Sequence, residues 1–181
     1  MRQGKICSIF FLYIAALLIF PNTGWASYSV RYDQKVTVEG NEIAKINVAF
    51  KDGKMKAESN FGGMTAVMLR NETGAYSYLP AQNVATKIPA SMDRPNLTQD
   101  LPRFMEFLQE NGGKKIGSED VESKKTDIYS FTEPSLKKEA KAWVWIEKKF
   151  PLKIEVDAPE GRTTIELFNI NFSDITDETV F

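Results

Sequence analysis

AKINVAFKDGKMKAES, residues 44–59, is the stretch whose reading decides the fold. Ala44, Ile46, Val48 and Phe50 alternate with Lys45, Asn47, Ala49 and Lys51. That period of two gives an extended chain one apolar face and one wet face. Asp52-Gly53 follows at once. A two-residue hairpin turn needs positive φ, and Asp-Gly supplies it at little cost. Met55 and Ala57 carry the apolar face back along the return strand. The stretch is therefore a β-hairpin with one buried side.

The pattern extends in both directions. Upstream, Val36 and Val38 alternate with Thr37 and Glu39. Downstream, Gly62-Gly63 breaks the chain, and Met64 to Leu69 is apolar on both faces apart from Thr65. Asn71-Glu72-Thr73-Gly74 turns into Ala75–Leu79, which carries Tyr76 and Tyr78 on one side, and Pro80-Ala81-Gln82-Asn83 turns into Val84–Ile88. Strands linked in series by short turns predict an antiparallel meander. The period then changes. In Asp100–Asn111 (DLPRFMEFLQEN), Leu101, Phe104, Met105 and Leu108 recur at helical spacing, with Phe107 alongside. Asp100 is suited to cap this helix, Pro102 to its first turn, and Gly112-Gly113 to its end. Strands resume at Asp127–Thr132, Ala140–Glu147 (Trp143 and Trp145 on one face), Leu152–Val156 and Arg162–Phe172. The fold class expected is mainly β (α+β): a half-open antiparallel β-barrel or strongly curved sheet, with the helix covering the concave face.

The N-terminus reads as a secretory signal. Fifteen residues without charge, Ile6 to Phe20, follow Arg2 and Lys5 and precede Gly24 and Ala26, small residues suited to cleavage before Ser27. Fifteen helical residues span roughly 22 Å, short of the roughly 30 Å of hydrocarbon in a bilayer. The expectation is a signal peptide over residues 1–26 and a single domain over 27–181, located in the periplasm, monomeric and without a permanent membrane span. Cleavage leaves 155 of the 181 residues, enough for one domain with a real core.

Composition removes whole classes of chemistry. There is no histidine, and Cys7, the one cysteine, lies in the signal segment. Serine–histidine and cysteine–histidine catalysis are thereby excluded, and a zinc site would have to be built from carboxylates alone. Removing Arg2 and Lys5 from the 23 basic residues leaves 21 against 24 acidic ones, a balance unlike that of a nucleic-acid binder. Ser135-Leu136-Lys137-Lys138 matches a Ser-x-x-Lys spacing, but its companion motifs are missing and the match reads as coincidence. Asp174, Asp177 and Glu178 lack the spacing of a calcium loop. Neither enzyme activity, nor a metal, nor a cofactor is expected.

Several segments resemble the LolA-like periplasmic proteins, the lipoprotein-carrier superfamily and its uncharacterised outer-membrane lipoprotein-sorting-like relatives. AWVWIEKKFPLKIEV (142–156) is similar to that family's "W-I-d-…-l-P-l-k-i-e" segment, with Trp145-Ile146 and Pro151-Leu152 in the matching places. GKMKAES (53–59) resembles its "g-k-m-R-v-e" strand, AYSYLPAQNVATKI (75–88) the hairpin that follows, and NINFSDITDETVF (169–181) its close. The resemblance implies a half-open barrel around an apolar cavity, with helices inside it or across its mouth. Founding members carry the acyl chains of lipoproteins; relatives bind other lipids, or act as sensors and partner-binding modules. Lys56 stands where many members have arginine. Lysine lacks the planar fork that would tie such a strand to carbonyls of a lid, so the departure bears on the carrier mechanism more than on the fold.

Two function classes follow. The first is an exported protein that holds a lipid, or the acyl chain of an acylated protein, in an apolar cavity lined by Met64, Met68, Tyr76, Tyr78, Leu101, Phe104, Met105, Leu108, Trp143 and Trp145. Unbranched methionines suit varied apolar partners. The alternative is an envelope interaction or sensor module that fills the barrel with its own side chains and binds a protein partner.

Overall fold

The computed structural model describes residues 29–61, 63–89, 101–173 and 175. Its strands are β1 (Ser29–Val38), β2 (Asn41–Lys51), β3 (Lys54–Phe61), β4 (Met64–Asn71), β5 (Gly74–Leu79), β6 (Val84–Lys87), β7 (Lys114–Val121), β8 (Lys124–Glu133), β9 (Lys138–Trp145), β10 (Phe150–Ala158) and β11 (Gly161–Asn171). They form one 11-stranded sheet in the order β6-β5-β4-β3-β2-β1-β11-β10-β9-β8-β7, antiparallel at every pairing. The order is two meanders back to back, β1–β6 and β7–β11, joined where the first strand pairs with the last. Strands β6 and β7 follow one another in sequence yet form opposite edges of the sheet. The sheet therefore curves without closing, as the half-open expectation has it.

Local chemistry explains the turns. Asp52 and Gly53 both have positive φ (49° and 79°), as do Glu39 and Gly40 (50° and 78°) and Glu122 and Ser123 (48° and 63°). Positive φ at both central residues matches the right-handed twist of the flanking strands. The seam between the meanders is stitched on its outer side. Asp33 accepts hydrogen bonds from Asn47 Nδ2 (2.6 Å) on β2 and Asn169 Nδ2 (2.7 Å) on β11. After β11 the chain turns back over the same side, where Ile175 buries against Ala49 and its N–H donates to Ser29 Oγ at 3.1 Å.

Two elements differ from the sequence expectation. The helix is shorter than residues 100–111. A 3-10 turn, Leu101–Arg103, leads into α1, Phe104–Glu110. Pro102 has no N–H to give to a helical ladder, and Asp100 lies outside the described residues. At the other end Gly113 N donates to Leu108 O at 2.6 Å, and a Cβ at Gly113 would stand 2.6 Å from that oxygen, so only glycine fits. Strand β7 was not expected at all. Its side chains are exposed, with only Gly117 and Val121 half-buried, so no apolar alternation betrays it. Its backbone ladder to β8 makes it a strand.

Candidate functional site: the inner face of the sheet

Alternation sorts the sheet into two faces. Val30, Tyr32 and Val36 on β1, Ile46, Val48 and Phe50 on β2, Met55 and Ala57 on β3, and Ile154 and Val156 on β10 belong to one buried core, which also takes in Leu101, Phe104 and Leu108. This is the inner face, the one that carries α1. Residues paired across antiparallel strands share a face, so the strand register extends the assignment strand by strand.

The two halves of the inner face are finished differently. In the β7–β11 half, α1 lies against β10, and three phenylalanines lock it down. Phe104 and Phe107 stack at 5.6 Å between centroids, and both meet Phe131 of β8 edge-on, at 6.3 and 5.7 Å. Phe104 retains 1% of its exposure. In the β1–β6 half, one transverse row runs from the centre of the sheet to its edge. Leu167 pairs with Gln34, Gln34 with Ile46, Ile46 with Ser59, and Ser59 with Ala66. Continuing the register of Val67 with Tyr78 brings Ala66 opposite Leu79, which pairs with Val84. Gln34 (3%), Ile46 and Ser59 (7%) are buried, Ala66 and Leu79 half-buried, and Val84 is 46% exposed. Met64, on the same face, is 62% exposed. The row is buried from β1 to β3 and grows more exposed toward the β6 edge.

The ten residues singled out from sequence do not all come together. Met68, Leu101, Phe104 and Leu108 are buried in the inner core, and Met105 packs against it. Met64 stands at the open side. Tyr76 and Tyr78 pair with Leu69 and Val67 on the outer face, where Lys87 Nζ lies 5.7 Å from the Tyr76 ring centroid. Trp143 also faces outward, in a row with Lys153, Glu166 and Lys35. Lys153 Nζ sits 4.4 Å over its ring, and its indole N–H donates to Glu119. Trp145 ends β9 with its ring tilted against Phe172 at 6.2 Å, and Phe172 meets Phe150 edge-on at 5.5 Å. Period-two reading puts Trp143 and Trp145 on the same side of a strand, but only the register of neighbouring strands says which side faces the helix. Leu79, Val84 and Gln34 are the inner-face residues that sequence reasoning missed; each lies at a strand end or looks polar.

Charges cluster at the edges of the site. Asp127 accepts from Ser118 Oγ at 2.8 Å and pairs with Lys115 Nζ at 2.7 Å, tying β7 to β8. The Lys115 hydrogen bond, followed by that of Ser118, holds the Asp127 carboxyl below its ordinary value. The buried Glu133 carboxylate accepts the Leu136 N–H, so Ser135, Leu136 and Lys137 lie in the β8–β9 turn that Glu133 holds, and Lys138 opens β9. Lys56 points outward, beside Ala49 and Leu69, with Glu58 at 3.7 Å; it does not face α1. Among the described residues no helix is long and apolar enough to cross a membrane. Asp177 and Glu178, like residues 1–26, lie outside the described residues.

No family model and no curated protein matches the sequence. Solved structures do match in shape. A chain of the MucA/MucB complex of Pseudomonas aeruginosa superposes with a TM-score of 0.56 at 11% identity, over 98% of this chain and 60% of that one. Lipoprotein LppX of Mycobacterium tuberculosis gives 0.51 at 13% identity, over 98% and 100% of the two chains. LprF from Mycobacterium bovis gives 0.51 at 12%, over 95% and 93%. The fold is LolA-like. This chain thus spans about 60% of the MucB-complex chain and nearly the whole of LppX and LprF. At such identities the likeness concerns the LolA-like fold alone, and the resemblance read from residues 53–59, 75–88 and 142–156 falls on β3, β5–β6 and β9–β10 of it.

Proposed function

We propose that the protein is an exported, non-enzymatic binding protein that holds a lipid or acyl chain on the inner face of its LolA-like sheet. In this reading residues 1–26 are a signal peptide cleaved after Ala26, and residues 27–181 act in the periplasm as one domain. The observation that carries it is the transverse row from Gln34 to Val84, apolar but for Gln34 and Ser59 and progressively exposed toward the β6 edge. Each methylene moved there from water gains about 0.8 kcal/mol, so a long acyl chain along such a row is shielded from the aqueous periplasm. The ligand group consists of Val84, Leu79, Ala66, Met64 and Ile46, with Met68 flanking; α1, through Leu101, Phe104, Met105 and Leu108, forms the floor beside it. Mass spectrometry of lipids extracted from the natively purified protein tests this. A stoichiometric acyl lipid is expected, and a protein free of lipid that also ignores a fluorescent palmitate would refute it.

A second reading is supported by the MucA/MucB complexes, in which a protein of this fold binds a protein partner. Here the exposed Met64 and Val84 would seat an apolar segment of an envelope protein instead of a lipid. Substituting them would then abolish recovery of the partner while leaving lipid content unchanged.

A further inference from the structure

Gln34 is the anomaly of the inner face. It sits at the middle of β1, between Ile46 on one side and Leu167 on the other. Its residue is 3% exposed, and its Oε1 is buried and accepts no hydrogen bond. A buried amide oxygen without a donor is unfavourable, and most are paired. An apolar side chain of similar length would serve a plain core better at this place. The nearest polar group along the row is Ser59, one strand beyond Ile46, whose hydroxyl is spent on Ala66 O at 3.5 Å. The Gln34 amide stands at the inner end of the row whose outer end is Val84. From β1 to β6 the row crosses five strand spacings, about 24 Å at ~4.8 Å each, a length that suits a long acyl chain.

We infer that Gln34 selects the ligand: the bound apolar chain carries a hydrogen-bond donor, a hydroxyl or an amide N–H, that meets Gln34 Oε1. The inference rests on the lipid-binding reading above and narrows it to a class. A free oxygen acceptor favours donors. Unsubstituted acyl chains leave it unmet. Hydroxylated acyl chains and acyl amides satisfy it. Because Gln34 is only 3% exposed, the preference is sharp, as in sites built to bond a polar group that an analogue lacks.

Displacement of a fluorescent palmitate from the purified protein tests this, using palmitate, hydroxypalmitates with the hydroxyl moved along the chain, and N-palmitoylglycine. At least one donor-bearing chain should bind roughly tenfold more tightly than palmitate. Gln34→Leu should erase that difference and leave palmitate binding equal or stronger, with a melting temperature equal or higher. Gln34→Met serves the same end if the branched side chain does not fit. If chains bind but none is preferred, or if the preference survives in both variants, the inference is overturned while lipid binding stands. If no chain binds at all, the lipid-binding reading itself has failed.

Discussion

The two halves of this sheet are built alike and finished differently. Both are antiparallel meanders with period-two strands, and both contribute to one core. The β7–β11 half is closed by its own aromatics, with Phe104, Phe107 and Phe131 filling the space beneath α1. The β1–β6 half leaves Met64 and Val84 exposed on the face that buries Val30, Tyr32, Ile46 and Val48 nearer the seam. The comparison teaches that an excess of apolar residues has two outcomes in one fold. Where a helix brings rings to meet rings, the surplus becomes stability. Where the sheet runs on past the helix, it remains available to a partner.

Substitutions can break this contrast, beginning with the largest effect. Phe104→Ala should destabilise the protein by about 3–5 kcal/mol in urea unfolding, because it empties a closed aromatic cluster. A loss below about 1 kcal/mol would mean that the helix is a loose cover and that the halves are alike. Val84→Lys should do the opposite. Stability should stay within about 0.5 kcal/mol, as for a surface change, while affinity for a fluorescent palmitate falls roughly tenfold. Equal affinity would remove the row from the site. Asp127→Asn probes the edge of the filled half. The Asp127 carboxyl titrates below its ordinary value, so its stabilisation is complete above the usual carboxylate range and lost as pH falls through the lowered value. The variant should lose up to about 1 kcal/mol at neutral pH and match the parent in acid; a deficit that persists in acid would point to packing instead. The smallest effect is expected from fluorescence. Trp143 faces outward beneath Lys153, so a chain along the row should leave its emission unchanged in a Trp145→Phe background. A shift on binding would place the ligand in the other half.

Much of this was legible from residues. The hairpin at residues 44–59 appears with its predicted turn and buried face, and the helix appears where Phe104 and Leu108 predict it, with Leu101 in the 3-10 turn before it. Strand β7 was illegible because an edge strand exposed on both sides needs no apolar alternation; only its pairing with β8 defines it. The candidate site was half legible. Met68, Phe104 and Leu108 were found by their apolar periodicity, whereas Tyr76, Tyr78 and Trp143 share that signal and face away.

By itself the sequence determined the period of each strand, the turns that link them, the change to helical spacing at Leu101 and the absence of imidazole. These are properties of neighbours along the chain, fixed by backbone sterics and side-chain alternation. Only the tertiary structure decided which face of each strand is the inner one, because that depends on the register of β1 with β11, partners 125 to 140 residues apart that no local pattern links. The same long-range pairing buried the polar Gln34 between Ile46 and Leu167 and left its Oε1 an unsatisfied acceptor.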